Sequence, residues 1–309
     1  MTVSASAPST SAAPPDPSSV PLGTGPPTRE ELLAHYPAKF TWQQLKTFVN
    51  SGDLGLLKRD RKLQARYDAW ARGIREEYGS IVNYLFNHRL RWGEPDTLSK
   101  LRSALENPAD RAAAESSPRP ALSADAKKVQ RTLPPIPADA PPYFTADTPS
   151  ELISICMNDW PYSVPPDIEH VLVWTRLPII PSGLPPSIAA RLHQDGLWGF
   201  TGNTSPPPSP SLVPEALPAL AEWGVTLDKL VRSQRGTWEE EALVRQAAGE
   251  VDAFVRRRWK EREWETAWFV NPPRLQSVPG LAHIHVFARR KTPEEEALWN
   301  AEHSGKNSA

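Results

Sequence analysis

Proline has a fixed φ and no amide hydrogen to donate, so it interrupts helix interiors and central strands. A 309-residue chain with 35 prolines can therefore build a core only in the intervals between its proline clusters. Three clusters divide this one. Residues 1–27 carry seven prolines among Ser, Ala and Thr, with little to bury against the entropy of ordering, and read as a disordered tail. Residues 94–142 are rich in Pro, Ala and Ser and read as a linker or insertion. The run "TGNTSPPPSPSLVPEALP", 201–218, reads as an exposed loop. About 200 residues remain for globular structure.

The intervals have distinct periodicities. In 28–93, Thr28 with Glu31 forms a capping-box pattern, Thr41 opens a second helix, and Asn50-Ser51-Gly52 closes it. Leu63, Tyr67, Trp70 and Ile74 recur at helical spacing, and after a break at Gly79 the stripe continues through Ile81, Tyr84, Leu85 and Leu90. In 143–291, "ELISIC" and "DIEHVLVWTRLPI" read as strands, the second with His170, Leu172 and Trp174 on one face and Val171 and Val173 on the other. Thr237 with Glu240 caps a helix expected over 238–264, and "AWFVN" and "AHIHVFARR" are strands. Residues 292–309 form a tail with one helical turn around Leu298 and Trp299. The order predicts an α+β fold: N-terminal helices, then an antiparallel sheet with a long helix packed on it.

Several function classes lose support. With 35 basic and 36 acidic residues the net charge is −1, so nothing global favours nucleic acid or an anionic membrane. One cysteine, Cys156, excludes an internal disulfide framework and fits a reducing compartment. No signal-peptide pattern follows Met1, and no run of about 18 apolar residues occurs. The expected location is cytoplasmic, with the nucleus as a second compartment. There is no GxGxxG, GxxxxGK[ST] or GxSxG, and no cofactor is implied.

The chemistry-bearing stretch is "WFVNPPRLQSVPGLAHIHVFARR", 268–290. Residues two apart in a strand share a face, about 6–7 Å apart. His283 and His285 can therefore line one pocket, with Ile284 and Val286 turned into the core. Asn271 and Ser277 could offer an amide and a hydroxyl to phosphate oxygens, and Arg289 could add positive charge. The same histidines could equally be structural. A metal would need a third ligand, for which only His170 or Asp159 stands ready, and none is predicted. Asp159-Trp160-Pro161-Tyr162 reads either as a binding edge or as a turn with two aromatics packed on the core.

Four stretches, "FTWQQLKTFVNSGDL", "EEYGSIVNYLFNHRLRW", "NDWPYSVPPDIEHVLVWT" and "WFVNPPRLQSVPGLAHIHVFAR", resemble the fungal N-acetylglucosamine-induced protein 1 family, a domain of unknown function. The resemblance covers roughly 36–93, 143–178 and 237–290. It implies a fungal intracellular protein connected by name with the amino-sugar response.

More distantly, the order of "IEHVLVWTRLPI", the long helix, "WFVN", "QSV" and "HIHVFAR" resembles the histidine-triad (HIT) superfamily. Counted back from Arg289, His283 falls on that superfamily's nucleophile, and Asn271 and Ser277 on its phosphate contacts. Counted from the first two histidines instead, His285 is the nucleophile. Leu281 stands where the first triad histidine would be, and the Ser277–His283 spacing is one residue long. The resemblance implies a HIT-like nucleotide hydrolase or nucleotidyltransferase. Its ligand would be a nucleotide or nucleotide sugar, held by Asn271, Ser277, His170 and Arg289, with His283 and His285 as the catalytic pair. The competing expectation is a non-catalytic regulatory module that binds a protein partner.

Overall fold

The computed structural model describes residues 14–93, 127–129 and 135–303 apart from Ser182 and Pro279. Its centre is one antiparallel five-stranded sheet of order β1-β2-β5-β4-β3. The strands are β1 (Ile153–Met157), β2 (Ile168–Thr175), β3 (Leu197–Thr201), β4 (Trp264–Val270) and β5 (His283–Arg290). β5 therefore runs between β2 and β4, pairing Leu172 with His285, Trp174 with His283 and Phe269 with His285.

Both faces of the sheet are covered. The long helix α7 (Trp238–Arg258) lays Val251, Phe254 and Val255 on Val171, Val173, Trp268, Ile284 and Val286. The N-terminal helices α1 (Arg29–His35), α2 (Trp42–Asn50), α3 (Arg61–Tyr78) and α4 (Ile81–Tyr84), with a π-turn at Leu85–Arg89, lie on the other. There, Leu45, Phe48 and Val49 meet Ile168, Ala267, Phe269 and Phe287, while Ala71, Ile74 and Ile81 belong to a cluster with Leu172 and Trp174. The capping boxes expected at Thr28, Thr41 and Thr237 are formed.

Buried charge ties these layers together. Lys46 of α2 donates to Glu265 of β4 at 2.6 Å, with both side chains almost fully buried. Trp42 Nε1 and the Arg289 guanidinium donate to the same carboxylate at 2.9 and 2.6 Å. Arg289 also pairs with Glu295 of the C-terminal helix α8 (Pro293–His303), and Lys291 lies over the Trp299 ring at 3.7 Å. Burial opposes ionisation of Glu265, but hydrogen bonds from Lys46 and Arg289 outweigh it and hold the carboxyl below its ordinary value.

Three expectations change. Residues 1–13 and most of 94–142 lie outside the described residues. Residues 14–27, read as tail, are tied down by polar contacts that composition does not reveal: Gly23 N donates to Glu31 Oε1 at 2.6 Å, and Arg66 Nε to Gly25 O at 2.8 Å. The 201–218 loop contributes to the core, because its Val213 and Ala216, in the one-turn helix α6 (Val213–Ala216), pack on α2 and the sheet. The tail beyond 292 is three turns of helix rather than one.

Helix α5 (Pro186–Asp195) and strand β3 follow no strong periodicity and were not expected. Glycine brackets β3 at both ends. Gly196 (φ 79°) and Gly202 (φ 69°) take left-handed turns where an added Cβ would fall 2.2 Å from Val270 O and 1.9 Å from Trp264 O.

Replacing Glu265 by Gln leaves Lys46 buried without its counter-charge. It is expected to cost about 3 kcal/mol, read as a lower urea midpoint at unchanged slope. An unmoved midpoint would mean that Lys46 reaches solvent in the native protein.

Candidate functional site

β-strand alternation puts His170, Leu172 and Trp174 of β2 on the same face as His283, His285 and Phe287 of β5. That face is not open. The three histidines are between 1 and 5% exposed, because α3, α4 and the turn 158–163 lie over them. The expectation that Ile284 and Val286 turn into the core is met, but the histidine side is core as well.

His285 is flanked by Phe269 (centroid separation 4.5 Å, 6° between planes) and Tyr162 (5.8 Å, 12°). Tyr162 N donates to His170 Nδ1 at 3.3 Å, so His170 carries its proton on Nε2. That nitrogen lies 3.0 Å from His285 Nδ1, which must accept. His285 is then protonated on Nε2; the Asn271 side-chain nitrogen lies 3.2 Å from it, and the relay requires that amide to be turned so that Oδ1 accepts. With Asn271 so turned, Tyr162, His170, His285 and Asn271 make a satisfied neutral relay.

His283 differs. Its Nδ1 donates to Leu281 O at 3.0 Å and its ring stacks on Trp174 at 4.3 Å, which leaves Nε2 as an unprotonated lone pair. It borders a cavity of about 70 Å³ also lined by His285, Ser277, Arg59 and Trp160. Trp160 Nε1 is buried and meets no acceptor among the described residues. Across the wall, Arg89 grips Asp159 through both carboxylate oxygens at 2.9 and 2.7 Å.

Burial lowers all three imidazole pKa values from their ordinary range. His170 and His285 are pushed well down, with further contributions from Arg59 and His283, and His170 also weighs on His285. Burial drives the Cys156 thiol the other way, up to about 11, so it is no nucleophile at neutral pH.

Of the residues singled out in the sequence, His283, His285 and Ser277 border the cavity, with Ser277 at its exposed rim. His170 and Asn271 stand behind it, bonded to His285. Arg289 is not part of the group: it lies four residues along β5 from His285, about 13 Å away, bound to Glu265 and Glu295. Asp159 pairs with Arg89 rather than standing by as a ligand, and among the described residues no group of three or more His, Cys, Asp or Glu could hold a metal ion. Sequence reasoning missed Arg59 and the aromatic wall of Tyr67 and Trp70 from α3. Their helical stripe reads as core, and only the fold carries it to the histidines.

The family described as "Protein of unknown function (DUF3605)" matches residues 41–184 and 230–289, a span that contains the whole cavity lining. The chain is 24% identical over 140 residues to N-acetylglucosamine-induced protein 1 of Candida albicans, covering 45% of this chain and 44% of that protein, so it spans less than half the length of that relative. Among solved structures, "Crystal Structure of HTC1" aligns with 85% of this chain and 95% of its own at 19% identity, with a TM-score of 0.35. No helix among the described residues is long and apolar enough to cross a membrane.

Neutral buried histidines bind fewer protons folded than unfolded below their ordinary pKa of about 6.5, so stability is full above that pH and falls beneath it. The expected loss is about 1.4 kcal/mol per pH unit for each ring that stays neutral. Urea midpoints at pH 7.5 and 5.5 should show it, and His285→Phe, which keeps the aromatic stack, should flatten the slope. A slope indifferent to that substitution would mean the ring ionises in the native state.

Proposed function

The chain belongs to the family described as "Protein of unknown function (DUF3605)", and on that premise we propose that it binds the phosphoryl end of a nucleotide or nucleotide sugar at His283 and cleaves or transfers it. The observation that carries this reading is the contrast between the histidines. His285 and His170 have every nitrogen engaged, whereas His283 is neutral, oriented through Nδ1 by Leu281 O, and its Nε2, in a ring that borders a cavity, meets no hydrogen-bond partner among the described residues. Those are the requirements of an imidazole nucleophile.

A cavity of about 70 Å³ has room for roughly two waters or one phosphoryl group. The remainder of the ligand would lie outside, past Ser277. Trp160 Nε1, the Ser277 hydroxyl and the charge of Arg59, whose Nε and Nη1 are held by Trp160 O and Gln64, are what the cavity offers to phosphoryl oxygens. Nε2 would attack phosphorus while the P–O bond to the leaving group breaks, its electron pair departing on that oxygen. Water would then cleave the N–P bond, give its proton to solvent and restore the imidazole. Asn271 and His170 act through His285 as positioning residues. The distant HIT resemblance points the same way. The Candida relative's name makes UDP-N-acetylglucosamine and N-acetylglucosamine 6-phosphate natural first probes.

A second reading is a non-catalytic module in which the histidine row is simply core. The closed relay and the small cavity favour it.

Thermal-shift and turnover assays with UDP-N-acetylglucosamine, N-acetylglucosamine 6-phosphate and ATP separate the two. The catalytic reading expects ligand stabilisation, an acid-labile phosphohistidine, and at least a hundredfold loss of turnover in His283→Ala, on the order seen when a nucleophile is removed. No turnover of any probe, or equal turnover in the variant, leaves the non-catalytic reading.

A further inference from the structure

We propose that a second site, a cleft of about 710 Å³ between α7, the edge strand β3 and segment 231–236, binds a nucleotide-sized phosphorylated ligand, with Arg232 and Arg245 meeting its phosphates and Trp198 its ring. It shares no lining residue with the histidine cavity, and does not rest on the reading given to that cavity.

Its volume is that of small-molecule sites, which run to several hundred Å³. Its charge is unbalanced in a specific way. The carboxylates that line it are engaged: Asp195 accepts from Ser233 N at 2.9 Å, and Glu241 accepts from Arg191 at 2.6 Å and Gly236 N at 3.0 Å. Asp252 accepts from Trp268 Nε1 at 3.2 Å and from Arg256 at 2.8 Å. Arg232 and Arg245, by contrast, meet no partner among the described residues. The guanidinium fork suits a phosphate, which it can grip through two parallel hydrogen bonds.

The segment that presents Arg232 is fixed along its length. Val231 N donates to Asp53 Oδ2 at 2.8 Å, Ser233 N to Asp195, and Gly236 N to Glu241. These anchors come from three different parts of the fold, so a stretch without regular structure is held in one course across the mouth of the cleft.

Gly249 adds an independent observation. It sits inside α7 and lines the cleft, and a Cβ placed there would find no heavy atom within 4 Å. Glycine in a helix interior costs roughly 1 kcal/mol relative to alanine, and no neighbour demands it here. Any larger side chain would instead occupy the cleft.

The test is calorimetric titration of the full chain with ADP, UDP and inorganic pyrophosphate at fixed salt. ADP and UDP are expected to bind saturably and more tightly than pyrophosphate, since the diphosphate alone lacks the ring. Arg232→Ala with Arg245→Ala should weaken ADP binding at least about tenfold. Gly249→Leu, which fills the cleft from an exposed helical position, should abolish binding without lowering the thermal midpoint. The proposal is overturned if none of the three probes binds at about 1 mM, a concentration that detects even weak sites. It is equally overturned if the arginine pair or Gly249→Leu leaves the ADP affinity unmoved.

Discussion

Everything in this fold follows from β5 being covered on both sides. A strand in the middle of an antiparallel sheet commonly presents one apolar and one solvated face, but here α7 closes one face and the N-terminal helices close the other. His283 and His285 are therefore largely withdrawn from solvent and cannot ionise cheaply, and their rings are held by partners inside the protein. The fold answers with Leu281 O for one ring and with His170 and Asn271 for the other. Aromatic planes from Phe269, Tyr162 and Trp174 complete the surroundings.

The same closure explains the charge at the far end of that face. Glu265 and Lys46 are buried where α2 crosses β4, and an isolated charge there would cost several kcal/mol. Each is held by the other, and Arg289 and Trp42 take the remaining acceptor positions. A single carboxylate thereby links α2, β4 and β5, and Arg289 carries the connection to α8 through Glu295. Arg289 thus serves the architecture, although its place after the histidines suggests a phosphate ligand when only the strand is in view.

Most of the fold was legible from periodicity and capping. The alternation of His170, Leu172 and Trp174, the stripe of α3 and the three capping boxes act locally, and local patterns survive in sequence. The turn residues told less. Strand β3 is five residues containing a central glycine, and its identity rests on Gly196 and Gly202, whose positive φ only close approach to β4 makes necessary. Val213 and Ala216 were masked by the prolines around them. At the site, the pair His283 and His285 was visible as spacing. The difference between them was not, because it is set by a carbonyl at Leu281 and by a histidine on another strand. Arg59 and Trp70 were invisible for the same reason: they approach only when α3 lies across the sheet.

That placement changes the standing of the N-terminal helices. Leu281, two residues before His283, packs in the cluster that includes Ile74 and Ile81. The cavity beside His283 is consequently walled by Tyr67 and Trp70 of α3 and by Trp160, with Arg59 from the segment before α3 supplying a cation. A dry wall and a fixed cation strengthen any charge interaction inside. The helical part and the sheet together wall this cavity. The family match fits that division, since its first segment contains the whole wall from Arg59 to Trp174 and its second contains Ser277, His283 and His285. The β3 wall of the arginine cleft falls between the two segments. Most of the cleft's lining, Arg232, Arg245 and Gly249 included, nevertheless falls within the same two segments as the histidine cavity, and only the part from α5, β3 and Pro210 lies between them.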